Sequence, residues 1–223
     1  MKAGLNSIKQ KMDARYEEYG YSPTTLDIRG KDKQYERYKV LTSQYHFHGK
    51  SVLDIGCGFG DLNEQLSKLT NGNYAYTGID FSKSIIEEAK KHYKGKDRQF
   101  VCGEFLDFEF DKEYDYGILS GMLNYPIDED NYAYVYEVMK KALLLCKDGI
   151  AFDFLSDKVD YKLDHAFHYD PVRILNIAYS FSRRVLLRND CFPFEFSVYV
   201  YKDDSFSKED TTFIQYKQEE VLL

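Results

Sequence analysis

The 223-residue chain contains no tryptophan, no closely paired cysteines, no basic stripe and no apolar run of membrane length. Each absence removes a class of function. Cys57, Cys102, Cys146 and Cys191 are widely spaced, with no C-x-x-C pair. A disulfide framework or a zinc ribbon needs closer ligands, so reduced, mostly buried thiols are expected and no metal site. The opening stretch MKAGLNSIKQKMDARYEEYG has no apolar core of the kind a signal peptide carries, and a cytoplasmic protein is expected. Nothing approaches the roughly 20 apolar residues of a membrane span. The net charge is −7, and the densest cations, Lys90, Lys91, Lys94 and Lys96, sit beside a predicted helix end as a solvated face. A duplex binder carries a basic stripe that releases counterions, so no nucleic-acid partner is expected. Internal repeats and low-complexity segments are also missing.

What is present is a soluble globular composition, 43% apolar and 30% charged, with 21 tyrosines and 16 phenylalanines. The length suits one domain with a substantial core. Tyrosine serves a core and a pocket equally well, so composition leaves its use open. From residue 50, short apolar runs alternate with amphipathic segments, the pattern of an α/β domain. Strands are predicted at 50–56, 74–80, 98–105, 114–121 and 150–156, and helices at 61–70, 82–93 and 129–146. Ser84 and Glu87 have capping-box spacing. Asp170-Pro171 offers an N-cap and a first-turn proline for a further helix. RRVLLRND and FEFSVYVYK then read as an antiparallel pair. Residues 1–48 are a polar, tyrosine-rich extension with a helix expected over 31–42.

The stretch VLDIGCGFGDL (52–62) places glycine at 56, 58 and 60, directly after the first strand. Glycine there costs backbone entropy, so the loop needs positive φ or close approach of another group. Such a turn is where α/β sheets bind nucleotide-like ligands. A dinucleotide motif, G-x-G-x-x-G, reserves glycine for the position held by Asp61, and a carboxylate there repels a pyrophosphate. Asp54 lies inside an apolar strand, where an unpaired carboxylate is costly, and it is expected to face a cationic or hydrogen-bond-donating ligand group. Asp80 ends the second strand twenty residues after Gly60, the usual place for a partner of ribose hydroxyls. A ribose, a positive charge and no phosphates describe S-adenosylmethionine.

At this level the sequence resembles the class I S-adenosylmethionine-dependent methyltransferase family. VLDIGCGFGDL is similar to its first motif, YTGIDFS (76–82) to the ribose motif, VCGEFLDF (101–108) to the adenine motif, and YDYGILSGMLNY (114–125) to the fourth-strand segment. The resemblance spans roughly residues 50–202. It implies a Rossmann-like α/β fold: a seven-stranded, mostly parallel sheet with one antiparallel strand and helices on both faces. It divides the chain into an N-terminal helical lid (1–48), a cofactor-binding methyltransferase domain (49–203) and a C-terminal tail (204–223). The implied cofactor contacts are Asp54, Gly56, Cys57 and Gly58, then Asp80 and Phe81 at the ribose, Glu104 and Phe105 at the adenine, and Ser120 and Gly121 beneath the methionine part. Residues 19–41 are also similar to the leading segment of a bacterial subgroup, which would lay Gln34 and Arg37 over the cofactor. An amphipathic helix exposing both residues is the alternative.

Methyl transfer needs in-line attack, orientation and sometimes a base. Candidates follow strands four and five: Asn124 and Tyr125, then His168 and Tyr169 within YKLDHAFHYDP, where His165 also lies. His168 is read as a base for a hydroxyl or amine, against incidental loop histidines, and Asp170 as an N-cap. The expected activity is methylation of a small molecule, such as a sugar derivative, at oxygen or nitrogen, with S-adenosylhomocysteine as product, by a monomer or homodimer. The alternatives are a non-catalytic cofactor-binding sensor or partner, and a methyltransferase for protein side chains.

Overall fold

The computed structural model describes residues 2–28, 30–127 and 130–202. Seven strands form one sheet: β1 (Ser51–Ile55), β2 (Ala75–Asp80), β3 (Arg98–Cys102), β4 (Tyr114–Leu119), β5 (Cys146–Leu155), β6 (Val185–Arg188) and β7 (Glu195–Tyr201). Their order is β3-β2-β1-β4-β5-β7-β6. Only β7 runs against the rest, pairing antiparallel with β5 and β6. This is the Rossmann-like, mostly parallel sheet expected from the sequence.

Six helices flank it: α1 (Lys2–Tyr19), α2 (Lys31–Thr42), α3 (Leu62–Thr70), α4 (Lys83–His92), α5 (Asn131–Leu145) and α6 (Pro171–Tyr179). The two-residue period of β1 decides which helices lie on which face. Val52 packs in a cluster with Leu41 of α2, Leu62 and Leu66 of α3, and Ile86 and Ala89 of α4. Leu53 and Ile55 join Val135, Val138 and Met139 of α5 and Ile174 of α6. A strand buried on both faces reads as a continuous apolar run, and β1 does. Asp54 is the exception, and its position is described below.

The chain leaves β1 toward β2 and β3, then returns to build β4 and β5 on the other side. The reversal lies between β1 and β4, and open α/β sheets bind ligands at the carboxyl ends of such neighbours. Two expectations about caps come out differently. Asp170 caps α6 as expected, its Oδ1 accepting from the Val172 N–H at 2.8 Å. The cap of α4 is Ser82 rather than Ser84, because the helix begins at Lys83 and the Ser82 side chain accepts from the Ile85 N–H.

The helix expected over 31–42 is α2, and α1 adds a second helix to the segment expected to be a helical lid. Cys57 and Cys146 are buried but Cys102 and Cys191 are exposed, so the thiols are less hidden than expected; all four are free. No described helix is long and apolar enough to cross a membrane. The C-terminal tail, 204–223, lies outside the described residues.

Candidate functional site

At the end of β1 the backbone turns through Gly56, Gly58 and Gly60 with φ of +69°, +53° and +79°. The Gly56 and Cys57 N–H groups both donate to the Ile79 carbonyl, at 2.9 and 3.0 Å, which folds the loop onto the end of β2. Asp80 stands at that end. Its Oδ2 accepts from the Gly58 N–H at 3.1 Å and its Oδ1 from the Ser82 N–H at 2.9 Å. One carboxylate therefore couples the loop to the start of the next helix.

What approaches the glycines is the chain itself. A Cβ at Gly56 would meet the Met122 side chain at 2.8 Å, and one at Gly58 would meet Leu26 Cδ1 at 2.8 Å. Leu26 belongs to a short 3-10 turn, Pro23–Leu26, capped by Ser22. That turn is held over the loop by Tyr21, whose hydroxyl donates to Asp61 at 2.6 Å; Tyr93 donates to the same carboxylate oxygen at 2.8 Å. Asp61 is thus spent on anchoring the roof.

Beneath the roof lies a cavity of about 980 Å³. Of the residues anticipated from the sequence, Gln34 and Arg37 of α2, Gly56, Cys57 and Gly58 of the loop, and Asp80 and Phe81 at the β2 end all line it. So do Ser120 and Gly121 after β4, and Asn124, Tyr125 and His168. Gln34 is only 4% exposed and donates to the Tyr38 hydroxyl at 2.8 Å. Arg37 forks onto Glu195 at the start of β7, with Nε donating to Oε2 at 2.8 Å and an Nη2 contact to Oε1. The Ser120 hydroxyl and the Gly121 N–H donate to the two oxygens of Asp153 in β5, at 2.6 and 2.7 Å.

Three placements correct the sequence reading. Asp54 does not line the cavity. It is 3% exposed and accepts from the Tyr76 hydroxyl at 2.6 Å, because its position in β1 points into the layer beneath the loop. Tyr169 is fully buried and does not line the cavity either; its hydroxyl donates to the Leu123 carbonyl at 2.7 Å, which makes it a core residue. Glu104 and Phe105 line a separate small hollow of about 10 Å³, together with Gly56, Asp80 and Met122. There Glu104 accepts from the Asp107 N–H at 2.9 Å. Of the other three catalytic candidates, two are also engaged: Asn124 Oδ1 accepts from the Leu155 N–H at 3.0 Å, and His168 uses both ring nitrogens within its own loop.

At the glycine loop the buried titratable side chains that the electrostatics single out are carboxylates. Burial pushes the Asp54 carboxyl up to about 7, with Asp80 and Asp61 adding to the effect, and pushes Asp80 upward too. Asp153 is held at about 6, again by burial, against the pull of Arg37. Among the described residues neither Asp54 nor Asp80 has a lysine or arginine partner. A buried carboxylate without a cation is costly, so the region around the loop suits a positive ligand and opposes a phosphate. Among the described residues no group of histidines, cysteines and carboxylates could hold a metal ion.

Sequence reasoning missed Asp153, Glu195, Met122 and Leu26. The first two carried a signal of the same kind as Asp54: each is a lone carboxylate in an apolar strand, IAFDFLS and FEFSVYV. Met122 and Leu26 carried none, since their role depends on which loop they land on.

Residues 52–149 match the sequence profile described as a methyltransferase domain. This segment belongs to that methyltransferase family. Its relatives include a ubiquinone biosynthesis O-methyltransferase from Coxiella burnetii, 45% identical over 56 residues, covering 25% of this chain and 23% of that protein. A demethylmenaquinone methyltransferase from Staphylococcus carnosus is 31% identical over 93 residues, 40% of this chain and 39% of that one. The chain thus spans well under half the length of these curated relatives. Among solved structures, the magnesium protoporphyrin IX methyltransferase of Synechocystis PCC 6803 with bound S-adenosylhomocysteine superposes with a TM-score of 0.62 at 16% identity, over 87% of this chain and 94% of that one. The N-methyltransferase NodS of Bradyrhizobium japonicum WM9 gives 0.63 at 15% identity, over 86% and 97%. At such identity the likeness is one of fold, and the fold is that of the class I S-adenosylmethionine-dependent methyltransferases.

Proposed function

We propose that the protein is an S-adenosylmethionine-dependent methyltransferase for a small-molecule acceptor that presents an oxygen or nitrogen nucleophile. The observation that carries this is the pairing of Asp80 with the glycine loop, where among the described residues neither Asp80 nor the nearby Asp54 has a cationic partner. The donor set fits the cofactor. Asp80 would take the ribose hydroxyls, Ser120 and Gly121 would lie under the amino-acid part, and Gln34 would close over it from α2. Glu104 and Phe105 would receive the adenine once Met122 moves aside. When bound, the cofactor supplies an electrophilic methyl group on a positively charged sulfur.

The rest of the work falls to the chain. The segment 1–48, read as a lid, excludes water and holds the acceptor in line, which is where orientation lowers the barrier. At about 980 Å³ the cavity is at the upper end of the range for small-molecule sites, with room for an acceptor beside a nucleoside cofactor. A roofed cavity with Tyr38 and Tyr125 in its wall favours a small molecule over a protein side chain. The O-methyltransferase relative supports oxygen as the nucleophile. The cytoplasm, where the cofactor is made available to such enzymes, is the compartment this reading requires.

Calorimetry is the test. Both S-adenosylmethionine and S-adenosylhomocysteine are expected to bind, and failure of both ends the reading. Label from methyl-labelled cofactor should then enter the small-molecule fraction of an ultrafiltered bacterial extract. Binding without any transfer would instead favour a sensor.

The raised carboxyls add a pH dependence whose sign can be worked out. In the free protein Asp54 is partly protonated at pH 7. A cation nearby favours its ionised form, so binding draws that proton off and tightens as pH rises through about 7. Only S-adenosylmethionine carries a permanent charge on sulfur. Its affinity relative to S-adenosylhomocysteine is expected to rise between pH 6 and pH 8, by up to about tenfold for one such group. A flat ratio would mean that Asp54 does not sense the sulfur.

A further inference from the structure

Between β5 and α6 the chain makes a loop, residues 156–169, whose base is closed like a ladder. The Tyr169 N–H donates to the Leu155 carbonyl and the Asp157 N–H to the Tyr169 carbonyl, both at 2.8 Å. Inside it, the Leu163 N–H donates to His168 Nε2 at 3.1 Å, while His168 Nδ1 lies 2.8 Å from the Ser156 carbonyl. A backbone N–H can only donate and a carbonyl can only accept. His168 is therefore the neutral tautomer with its proton on Nδ1, and its one lone pair is already used. The ring ties two distant points of the loop together and has nothing left for an acceptor's proton.

Those bonds present a different histidine. The Ala166 N–H donates to the Leu163 carbonyl at 3.1 Å, closing a four-residue turn in which His165 is the third residue. Directly after the turn, the Phe167 N–H donates to the Asn124 carbonyl at 2.8 Å. The Asn124 side chain accepts from Leu155 at the end of β5, so the turn is bound to the exits of β4 and β5 together. His165 lines the cavity, and among the described residues its ring makes no hydrogen bond. Of the carboxylates that line the cavity, Glu195 is held by Arg37, Asp27 by Lys11 and Arg15, Asp157 lies 3.0 Å from Lys158 Nζ, and Asp80 accepts two backbone N–H groups. Asp160 is the remaining one, and an ordinary carboxylate is a far weaker base than an imidazole. Burial holds the Tyr125 hydroxyl protonated, so it can donate but not accept a proton.

We propose that His165 is the catalytic base that removes the acceptor's proton, and that His168 and Asn124 are positioning residues that hold its turn over the strand ends. The assignment rests on the methyl-transfer reading above. The acceptor's lone pair forms the bond to the methyl carbon, and the carbon–sulfur bond breaks with its electron pair going to sulfur. The acceptor's O–H or N–H proton passes to a His165 ring nitrogen and from there to water, which the exposed turn admits. A positioned base of this kind contributes about 10²–10⁴ in rate.

Two measurements test it. Diethyl pyrocarbonate, followed by peptide mass spectrometry at pH 7, should modify His165 at least about tenfold faster than His168 in the free protein, because only His165 has an unshared lone pair. Equal rates, or the reverse order, would remove the assignment. In the extract assay, His165→Gln should lower kcat at least about 100-fold and abolish the rise of rate with pH, with S-adenosylhomocysteine affinity unchanged. His168→Gln should lower kcat while keeping that pH limb, the signature of a residue that acts through another. If His165→Gln stays within about threefold of the parent at every pH, the base is elsewhere and only this inference fails. If the parent protein binds the cofactor but transfers no label, the methyl-transfer reading fails and takes this one with it.

Discussion

Replacing Glu195 by alanine is expected to lower the unfolding free energy by about 3 kcal/mol, at the low end of what removing one partner of a buried ion pair costs. The carboxylate is 6% exposed and the Arg37 side chain 19%. Without Glu195 the guanidinium would keep only the weaker influences of Asp153 and Tyr38. The mechanism is desolvation rather than lost attraction: burying a charge is costly, and the pair offsets that cost only while both partners are present. A paired replacement, Arg37→Met with Glu195→Leu, should therefore lose much less than either single change. Urea denaturation would read both, as a lower midpoint with unchanged slope for Glu195→Ala. A loss below about 0.5 kcal/mol would mean that the pair behaves as a surface contact. The consequence for the site follows from geometry. Arg37 is one turn of α2 from Gln34, and the ion pair joins that helix to β7; Tyr199, whose hydroxyl donates to the Val40 carbonyl at 2.6 Å, joins it a second time. With Glu195 gone, the Tyr199 hydroxyl remains as a hydrogen bond between α2 and β7.

The sheet was legible because its information is local. Alternating apolar runs and amphipathic segments mark each strand and helix independently, and a buried parallel strand such as β1 is a continuous apolar run. The glycine loop was legible for the same reason, since φ of +53° at Gly58 is a property of a single residue type. The first helix was also written in the sequence, as Leu5, Ile8, Met12 and Tyr16 at spacings of three, four and four, but its dense charges on every other side hid the stripe. What local reading misjudged was direction. Asp54 was rightly found costly in its strand, yet the cost is met by Tyr76, two strand positions along on β2, and no local feature names that partner. The histidines failed in the same way. His165 and His168 look alike in the sequence, and only the closed loop shows that one is committed at both nitrogens. The tyrosines divide as composition allowed: Tyr169 and Tyr199 end up in the core with their hydroxyls on backbone carbonyls, and Tyr38 and Tyr125 in the cavity wall.

Asp80→Ala should have the largest effect on ligand binding, weakening S-adenosylhomocysteine about 100-fold. Hydrogen bonds to a charged group are worth about 1.5–3 kcal/mol each, and about 2.7 kcal/mol corresponds to a factor of 100. Two losses contribute. The ribose hydroxyls would lose their acceptor, and the Gly58 N–H, held at 3.1 Å, would lose the bond that sets the loop. Asp80→Asn separates them, because the amide oxygen still accepts from one backbone N–H while the charge is removed; its affinity should fall between parent and alanine. A 2′-deoxy analogue of S-adenosylhomocysteine separates them from the ligand side. The parent protein should bind it at least about tenfold more weakly than the ribose form, as expected when a built acceptor loses its hydroxyl. Asp80→Ala should bind the two forms alike. If the alanine variant still discriminates, the ribose is read by another group, and Asp80 serves only to fasten the glycine loop to the start of α4.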